Sequence, residues 1–198
     1  KEKIPPPIAT HSADQLNRNG RHPDQASLLH FVIPVGDAIL DLPVLEAKQG
    51  KEEQPYTTAP KTEYQTWARG TQQILFNHVA MNHTDRVVER FRRIQEGNHL
   101  NQLPEELRVR RRSGNGELSQ AEYHSNYRHL HPNEISYTIP ASFYSSFIHP
   151  TQPRNITARE AARIQSFPDS YRFMGKRTMV SSKLLQRYGR LEDDCLSQ

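Results

Sequence analysis

The residues best suited to chemistry form a basic run, residues 108–112, that leads into Gly114 and Gly116. Arginine is the usual bidentate partner of a guanine edge, and a loop made flexible by glycine can follow a DNA groove. The run therefore predicts DNA contacts from Arg108, Arg110, Arg111 and Arg112. The alternative interpretation is a solvated, mobile loop.

Covalent catalysis has one candidate nucleophile, Cys195, the single cysteine of the chain. The residues before it are Glu192, Asp193 and Asp194. Nearby negative charge disfavours the thiolate, which is the reactive form of cysteine. We therefore expect no catalytic residue in this chain.

A metal site is suggested only by the number of histidines, which is 10. His78 and His83 are five positions apart, and His124, His129 and His131 form a cluster. No cysteine pair and no His-Glu-x-x-His pattern accompanies them, although zinc sites usually show such spacings. We therefore predict no metal site.

A short, tightly specified helix is indicated by residues 154–173, Arg-Asn-Ile-Thr-Ala-Arg-Glu-Ala-Ala-Arg-Ile-Gln-Ser-Phe-Pro-Asp-Ser-Tyr-Arg-Phe. Thr157 and Glu160 have the spacing of a capping box, in which each side chain accepts a hydrogen bond from a free backbone N–H. Pro168 disfavours the α conformation at Phe167. The helix is therefore expected to span residues 158–165, and its small alanines would let another element pack closely.

The same segment resembles motif IX of the C5 cytosine DNA methyltransferases, which runs roughly Arg-x-Leu-Thr-x-Arg-Glu-x-Ala-Arg-hydrophobic-Gln-x-Phe-Pro-Asp-x-Tyr-x-Phe. The visible departure is Ile156 in place of the usual Leu or Val. The resemblance implies a structural role, in which the arginines bind carboxylates or carbonyls and organise the domain. The residues concerned are Arg154, Thr157, Arg159, Glu160 and Arg163.

The resemblance extends over most of residues 5–175. It includes a proline-rich stretch ending in His-Ser (5–12), a Val-x-x-Ala-Ile-x-Asp-Leu-Pro segment (35–43), an Asn-His pair (77–78) and a Tyr-Arg…Thr-Ile segment (127–139). The last departs from the family pattern because His129 is inserted and no proline stands just ahead of Thr138.

Four residues of this last segment are predicted to bind DNA. In the family, the dipeptide that matches Thr138 and Ile139 lies close to the strand of the flipped base, although the pair also suits an ordinary β-strand. Arg128, which follows Tyr127, is placed to reach a phosphate or a guanine edge. The candidates are Tyr127, Arg128, Thr138 and Ile139.

The segments that carry the family's chemistry are missing from this sequence. These are the motif I glycine loop that holds S-adenosylmethionine, the Pro-Cys nucleophile segment, the Glu-Asn-Val segment, the Gln-x-Arg-x-Arg segment and motif X. The family order would place the first four before residue 1 and motif X beyond Gln198. The chain alone is therefore predicted to be inactive and to bind no cofactor.

The resemblance thus implies the target-recognition part of a DNA (cytosine-5)-methyltransferase of the restriction-modification type. Its partners would be double-stranded DNA and a catalytic domain or subunit that carries motifs I–VIII and binds S-adenosylmethionine. The recognition part would hold the duplex while the target cytosine is flipped out of the stack. The alternative is a stand-alone DNA-binding or interaction module derived from the family, without transferase activity. A third reading, more distant, is an unrelated basic α+β domain with a chance motif match.

Composition is lean for an independent globular domain and suits either a loop-rich domain that relies on a partner or one with long surface segments. Hydrophobic residues make up 34% of the chain, there are 14 prolines, and mean hydropathy is −0.84. The net charge of +4 and the pI of about 9.3 fit nucleic acid contact, but many other proteins share them. A single cysteine allows no intrachain disulfide, and the sequence has neither a signal peptide nor an 18-residue apolar run. We expect an intracellular location, which for the resembled family is the bacterial cytoplasm near the nucleoid.

The elements that must position these residues are predicted to be short, which indicates an α+β fold: a small, mixed, loop-rich domain. We expect a strand at 28–33, a helix at 35–42 that ends at Pro43, a charged loop at 46–60, a helix after Thr62 that closes near Gly70, a helix after Thr84 or Asp85 that ends near Gly97, strands in pieces at 123–139 and 143–148, and a helix near 183–188.

The helix after Thr84 is the most amphipathic. Its apolar stripe is Val87, Val88, Phe91 and Ile94, and its other side carries Arg86, Arg90 and Arg93 around Glu89. A solvated charged face is the simplest reading of that side. Trp67 and Phe91 are expected in the core. The organisation predicted is an arm and linking region (1–60), a target-recognition region (61–150) and a motif IX and C-terminal segment (151–198), in one structural domain.

Overall fold

The computed structural model describes residues 11–12, 30–96, 100–110, 118, 127–140 and 143–174. Within them the fold is α+β and built from short elements, as the sequence predicts. The helices are α1 (Val35–Ile39), α2 (Glu63–Arg69), α3 (Asp85–Gln95), α4 (Phe143–Ser146) and α5 (Ala158–Ile164), with 3-10 turns at Leu100–Gln102 and Glu105–Leu107. None of the described helices is long and apolar enough to span a membrane.

The described strands pair in three two-stranded sheets. Strands β1 (His11–Ser12) and β2 (His30–Phe31) are parallel, as are β5 (Arg128–His129) and β6 (Phe147–Ile148). Strands β3 (Gly50–Pro55) and β4 (Ile74–Val79) form the longest pair, which is antiparallel with Gly50 opposite Val79 and Pro55 opposite Ile74.

The prediction of a loop at 46–60 is wrong, because β3 occupies the middle of that segment. Its sequence, Gly-Lys-Glu-Glu-Gln-Pro, has poor strand propensity and is mostly exposed. It forms a strand because β4, which carries the buried Leu75, provides a backbone partner for five of its six residues, all except Glu52. Tertiary pairing therefore overrides local propensity here.

The main core lies between α1, α5 and β4. Ala161 and Ala162 of α5 are fully buried, and their small side chains let α1 and β4 approach the helix. The core residues are Val35, Ala38, Ile39, Leu42, Leu75, Leu130, Phe143, Phe147, Ile156 and Ala161. These residues come from all three predicted segments, 1–60, 61–150 and 151–198. A second cluster joins Phe91, Ile94, Leu103 and Ile148.

Helix α2 begins and ends as its sequence predicts. The Thr62 side chain accepts a hydrogen bond from the backbone N–H of Gln65, and Gly70 stands at the C-cap with φ of 53°. The core prediction for Trp67 is wrong, because that side chain is 53% exposed and packs only partly, with its ring 5.2 Å from the Tyr64 ring. The helix instead buries Gln65 and Ala68.

Other predicted elements are correct only in part. Helix α1 ends at Ile39 and continues as a turn, and the strand expected at 143–148 is a helical turn, α4, followed by β6. Of the pieces expected at 123–139, the described residues contain the two-residue strand β5. The Phe91 prediction is correct, since that ring is 1% exposed. The end near Gly97 and the helix near 183–188 lie outside the described residues.

Candidate nucleic-acid interface

The capping box of α5 is present and buried. The Thr157 hydroxyl oxygen accepts from the Glu160 N–H at 3.2 Å, and the Glu160 carboxylate accepts from the Thr157 N–H at 2.7 Å. Arg154 completes the group by donating to both oxygens of Glu160, at 2.8 and 2.6 Å. The side chains of Arg154 and Glu160 are each 1% exposed, so this bidentate ion pair is inside the protein.

Two buried histidines support the capping box. His78 places Nε2 at 2.9 Å from the Pro43 carbonyl oxygen and Nδ1 at 2.9 Å from the Thr157 hydroxyl. A carbonyl only accepts, so the His78 proton is on Nε2 and the Thr157 hydroxyl donates to Nδ1. His149 accepts on Nδ1 from the N–H groups of Thr151 and Gln152, both at 3.1 Å, so its proton is also on Nε2. Nε2 faces the Glu160 carboxylate, at 3.4 Å from Oε1.

The charges in this group follow from burial and from the neighbouring ions. Burial lowers the pKa of His149 to about 3 and also lowers the pKa of His78, so both imidazoles are neutral at pH 7. Burial acts in the opposite direction on Glu160, but the charge and hydrogen bonds of the Arg154 guanidinium outweigh it and hold the pKa of that carboxyl below its ordinary range. Glu160 is therefore a carboxylate paired with the Arg154 guanidinium.

Arg163 is the centre of a second buried ion cluster. It donates to both carboxylate oxygens of Asp169, at 3.0 and 2.6 Å, and also to Asp41. Asp41 accepts from Arg69 at 3.0 Å, and Asp169 accepts from the Tyr56 hydroxyl at 2.6 Å. Although burial opposes the charged form of Arg163, the two carboxylates raise its pKa above the ordinary value.

Arg159 is buried against backbone carbonyls. Its guanidinium donates to the carbonyl oxygens of Phe76 at 3.0 Å and Pro168 at 3.1 Å, and to that of Tyr171. Arg154, Arg159 and Arg163 are each 0% exposed. Since all three are enclosed and hydrogen-bonded within the domain, their geometry can fix the backbone around α5 but does not present a charge to a ligand.

The basic run is only partly within the described residues. Arg108 is half-buried, and its Nε donates to the Leu103 carbonyl at 2.7 Å. Arg110 is exposed and forms an isolated antiparallel bridge with Leu118. Of the four arginines, Arg110 is thus the one the structure places at the surface, while Arg111, Arg112 and the glycines lie outside the described residues.

Tyr127 is connected to the basic run by helix α3, which contacts both. Its ring is 6.0 Å from the Phe91 ring, and the Arg90 guanidinium lies 5.7 Å from its centre. Arg90 also donates to the Leu107 carbonyl at 2.6 Å. The expectation that Arg90 belongs to a solvated face is wrong, because it is 6% exposed and bonds the turn that precedes the basic run.

Arg128, Thr138 and Ile139 lie on a different segment, which α1 fixes in place. The N–H groups of Val35 and Gly36, free at the helix start, donate to the carbonyls of Glu134 and Pro132 at 2.9 and 2.8 Å. A Cβ at Gly36 would stand 2.7 Å from the Pro132 oxygen, so the close approach depends on glycine. This segment is therefore held by its backbone.

The side chains of that segment surround a pocket of about 330 Å³. Thr138 is exposed and Ile139 half-buried at its edge, and Arg128 stacks over the exposed Tyr137 ring at 4.8 Å. The lining includes Val35, Tyr64, Tyr137, Thr138, Ile139 and Gln165. An exposed arginine, an exposed aromatic ring and a threonine beside a pocket suit contact with a nucleic acid backbone and base.

Several residues that support the site were not found by sequence reasoning. Asp41 and Asp169 pair with Arg163, and Asn77 binds the backbone of Phe173. The sequence contains one signal for them in β4, where an Asn-His pair interrupts an apolar strand.

Among the described residues, no group of three or more His, Cys, Asp or Glu residues is arranged to hold a metal ion.

Comparison with known proteins gives matches that are described as a DNA methylase or a type II methyltransferase. A family model described as C-5 cytosine-specific DNA methylase matches residues 41–189. The type II methyltransferase M.DdeI of Desulfomicrobium norvegicum is 46% identical over 153 residues, covering 77% of this chain and 37% of that protein. M.BbvI of Brevibacillus brevis is 36% identical over 112 residues, covering 54% and 28%. M.AquIB of Picosynechococcus sp. is 32% identical over 101 residues, covering 51% and 61%.

The chain thus spans 37% and 28% of the length of the first two relatives.

Proposed function

The chain belongs to the C-5 cytosine-specific DNA methylase family, and we propose that it supplies the DNA-recognition part of a DNA (cytosine-5)-methyltransferase. In this role it binds duplex DNA and holds it while a catalytic part flips and methylates the cytosine. DNA contacts come from Arg110 and Arg128, with Tyr127, Thr138 and Ile139 beside them. Arg108 supports the backbone of this region and is not a proposed contact, because its guanidinium donates a hydrogen bond to the Leu103 carbonyl.

One observation carries this proposal: the segment most typical of the family is enclosed in the domain. Arg154, Arg159 and Arg163 are 0% exposed and bind carboxylates and carbonyls of their own chain. Such a segment serves as a support for the surface around it. Exposed arginines elsewhere then remain as the groups for DNA phosphate and base edges.

The catalytic segments belong, in this proposal, to a domain or subunit other than these 198 residues. The sole cysteine follows Asp194 and has no preceding proline. The relative M.AquIB favours the subunit form, since 101 aligned residues make up 61% of it and it is therefore shorter than this chain. A protein of a size comparable to this chain thus carries the name of a type II methyltransferase.

S-adenosylmethionine is the methyl donor of the family and, we infer, is bound by the catalytic part. The described glycines do not form a loop between a strand and a helix that would fit its carboxylate and ribose. Gly36 is inside α1, Gly50 begins β3, and Gly70 caps α2. In this proposal, the residues of this chain bind and orient DNA, and the catalytic part transfers the methyl group.

The proposal is tested by two titrations of the 198-residue chain. Fluorescence anisotropy with a labelled duplex is expected to show weak binding whose log Kd rises linearly with log salt, because phosphate contacts release counterions. Calorimetric titration with S-adenosylmethionine is expected to show no heat of binding. Tight cofactor binding, or DNA affinity that is independent of salt, would contradict the proposal.

The source of the catalytic part is tested in the genome. A Pro-Cys segment and a glycine loop, in the same gene or a neighbouring one, are expected. Their absence from both would support the stand-alone DNA-binding module instead.

A further inference from the structure

Arg86 and Arg90 hold three consecutive backbone carbonyls at the start of the basic run. They are four positions apart on α3 and therefore share a face. Arg86 donates to the carbonyl of Glu106 and, at 2.7 Å, to that of Arg108. Arg90 donates to the carbonyl of Leu107 at 2.6 Å and to that of Arg108 at 3.3 Å. Two guanidinium groups thus converge on the Arg108 carbonyl.

These carbonyls need donors because the 3-10 turn Glu105–Leu107 ends there. The last carbonyls of a helical turn have no partner within it, and arginine side chains can supply one. The planar guanidinium has five N–H donors in a fixed fork, which suits two carbonyls at once. Arg86 and Arg90 therefore cap this turn from the neighbouring helix.

The burial of Arg90 separates this role from DNA contact. The residue is 6% exposed, so its guanidinium cannot reach a phosphate without opening the domain. Arg108 is also turned inward, with its Nε bonded to the Leu103 carbonyl at 2.7 Å. Arg110 is exposed two residues beyond the doubly bound carbonyl, and its backbone bridges to Leu118.

We propose that Arg86 and Arg90 are positioning residues for DNA recognition, which act by fixing the backbone from which Arg110 reaches the duplex. The inference rests on the proposed function of the chain. It assigns the buried Arg90 and the exposed Arg86 to the backbone of the turn and not to the phosphates. Loss of the clamp would let residues 107–110 move and would disengage Arg110 from DNA.

The test compares three variants of the whole chain. Arg86→Lys keeps the positive charge but loses the fork that spans two carbonyls. Arg110→Gln removes the proposed contact. Arg92→Lys is the matched control, because Arg92 is exposed on the same helix and pairs with Glu89. Duplex affinity is measured by anisotropy at several salt concentrations, and folding of each variant by circular dichroism.

Arg110→Gln is expected to make the slope of log affinity against log salt shallower by about 0.9, the value for one phosphate contact. Arg86→Lys is expected to reduce the slope by a similar amount although its net charge is unchanged. Arg92→Lys is expected to keep the slope of the unmodified chain. Hydrogen exchange without DNA is expected to be faster at residues 107–110 in Arg86→Lys alone.

An unchanged slope and unchanged exchange in Arg86→Lys would overturn the inference while leaving the proposed function in place. An equal loss in Arg92→Lys would also overturn it, since the effect would then be one of general charge. If Arg86→Lys does not fold, Arg90→Lys is measured in the same way and by the same criteria. Failure of the unmodified chain to bind DNA at low salt would contradict the proposed function itself.

Discussion

Among single residues, the buried polar groups at the start of α5 form a continuous series of hydrogen bonds. It runs from the Pro43 carbonyl through His78 and the Thr157 hydroxyl to Glu160, whose carboxylate binds Arg154. Each atom along the series has a partner, which offsets the cost of its burial. Removing one member therefore leaves another buried group without its partner.

The buried histidines make stability depend on pH. The pKa of His149 is about 3 in the folded chain and near the ordinary value of about 6.5 when unfolded, so the unfolded state binds the additional proton between these values. The contribution of His149 to the free energy of unfolding is fully present above about pH 6.5. It is lost progressively as pH falls from there toward 3. His78, whose pKa is also lowered, acts in the same direction.

We predict that the free energy of unfolding falls as pH drops below about 6, with a slope that approaches about 1.4 kcal/mol per pH unit for His149, and that His78 adds to the fall in the same direction. Urea unfolding between pH 8 and pH 5 measures this slope. His149→Gln is expected to make it shallower, and His131→Gln, which changes an exposed side chain, is expected to leave it as it is. Identical slopes for the unmodified chain and His149→Gln would be evidence against a neutral, buried His149.

Glu160→Gln tests the ion pair with Arg154. Breaking a buried pair leaves an uncompensated charge, so we expect a loss of about 3–5 kcal/mol in the free energy of unfolding at pH 7. Because the Glu160 pKa is lowered, its stabilisation is present above about pH 4.3 and is lost as pH falls through the folded pKa. The difference in free energy of unfolding between the unmodified chain and Glu160→Gln should therefore become smaller in strong acid.

The matched control is Glu96→Gln, because the Glu96 side chain is 52% exposed in its pair with Arg93. An exposed pair contributes at most about 1 kcal/mol. Equal losses in the two variants would contradict a buried, structural Glu160.

At the scale of elements, β4 fixes both ends of the segment that contains α5. His78 binds Thr157 at the start of the helix. Its neighbour Asn77 binds Phe173 beyond the helix, accepting from its N–H at 2.9 Å and donating to its carbonyl at 3.0 Å. Successive residues of a strand point to opposite sides, so one strand can hold two separate points. Asn77 has φ of 61°, a conformation that Asn adopts more readily than most residues.

Asn77→Gly removes this second attachment and keeps the positive φ without strain. We predict faster hydrogen exchange in residues 168–174, because the Phe173 N–H loses its acceptor, with exchange at α1 unchanged. Mass spectrometry of peptic fragments measures both regions. Glu53→Gln, which breaks the exposed pair between Glu53 and Arg172, is the control in the same region. Equal exchange in all three proteins would show that Asn77 does not hold the segment.

Elements with their own local signals could be predicted from the sequence. The caps at Thr62 and Thr157 and the ends of α2 and α5 depend on residues a few positions apart. Strand β3 could not, because its pairing with β4 joins residues far apart in sequence. Trp67 was misplaced for a similar reason, since only the packing of α2 against α1 decides which of its faces is buried.

The site was predictable to the same limited extent. The motif indicated that Arg154, Arg159 and Arg163 would bind carboxylates or carbonyls, but the partners Asp41 and the Phe76 carbonyl are distant in sequence. A charge pattern also cannot tell an arginine that faces solvent from one that faces a carbonyl. The charge pattern therefore predicts a solvent-exposed Arg90, whereas the structure buries it against the Leu107 and Arg108 carbonyls.

Over the whole molecule, the described residues form a support and a surface. The support is the buried network around α5, and the surface carries Arg110, Arg128 and Tyr137. In the proposed function, this chain determines which DNA sequence is methylated when it is joined to a catalytic part from another enzyme. That transfer of specificity is the central claim.

The most direct test replaces the aligned segment of M.DdeI, and separately that of M.BbvI, with this chain and maps methylcytosine by bisulfite sequencing. The two hybrids are expected to methylate the same DNA sequence, because both contain this chain as the proposed recognition part. Hybrids that each keep the target sequence of their own parent enzyme would contradict this expectation.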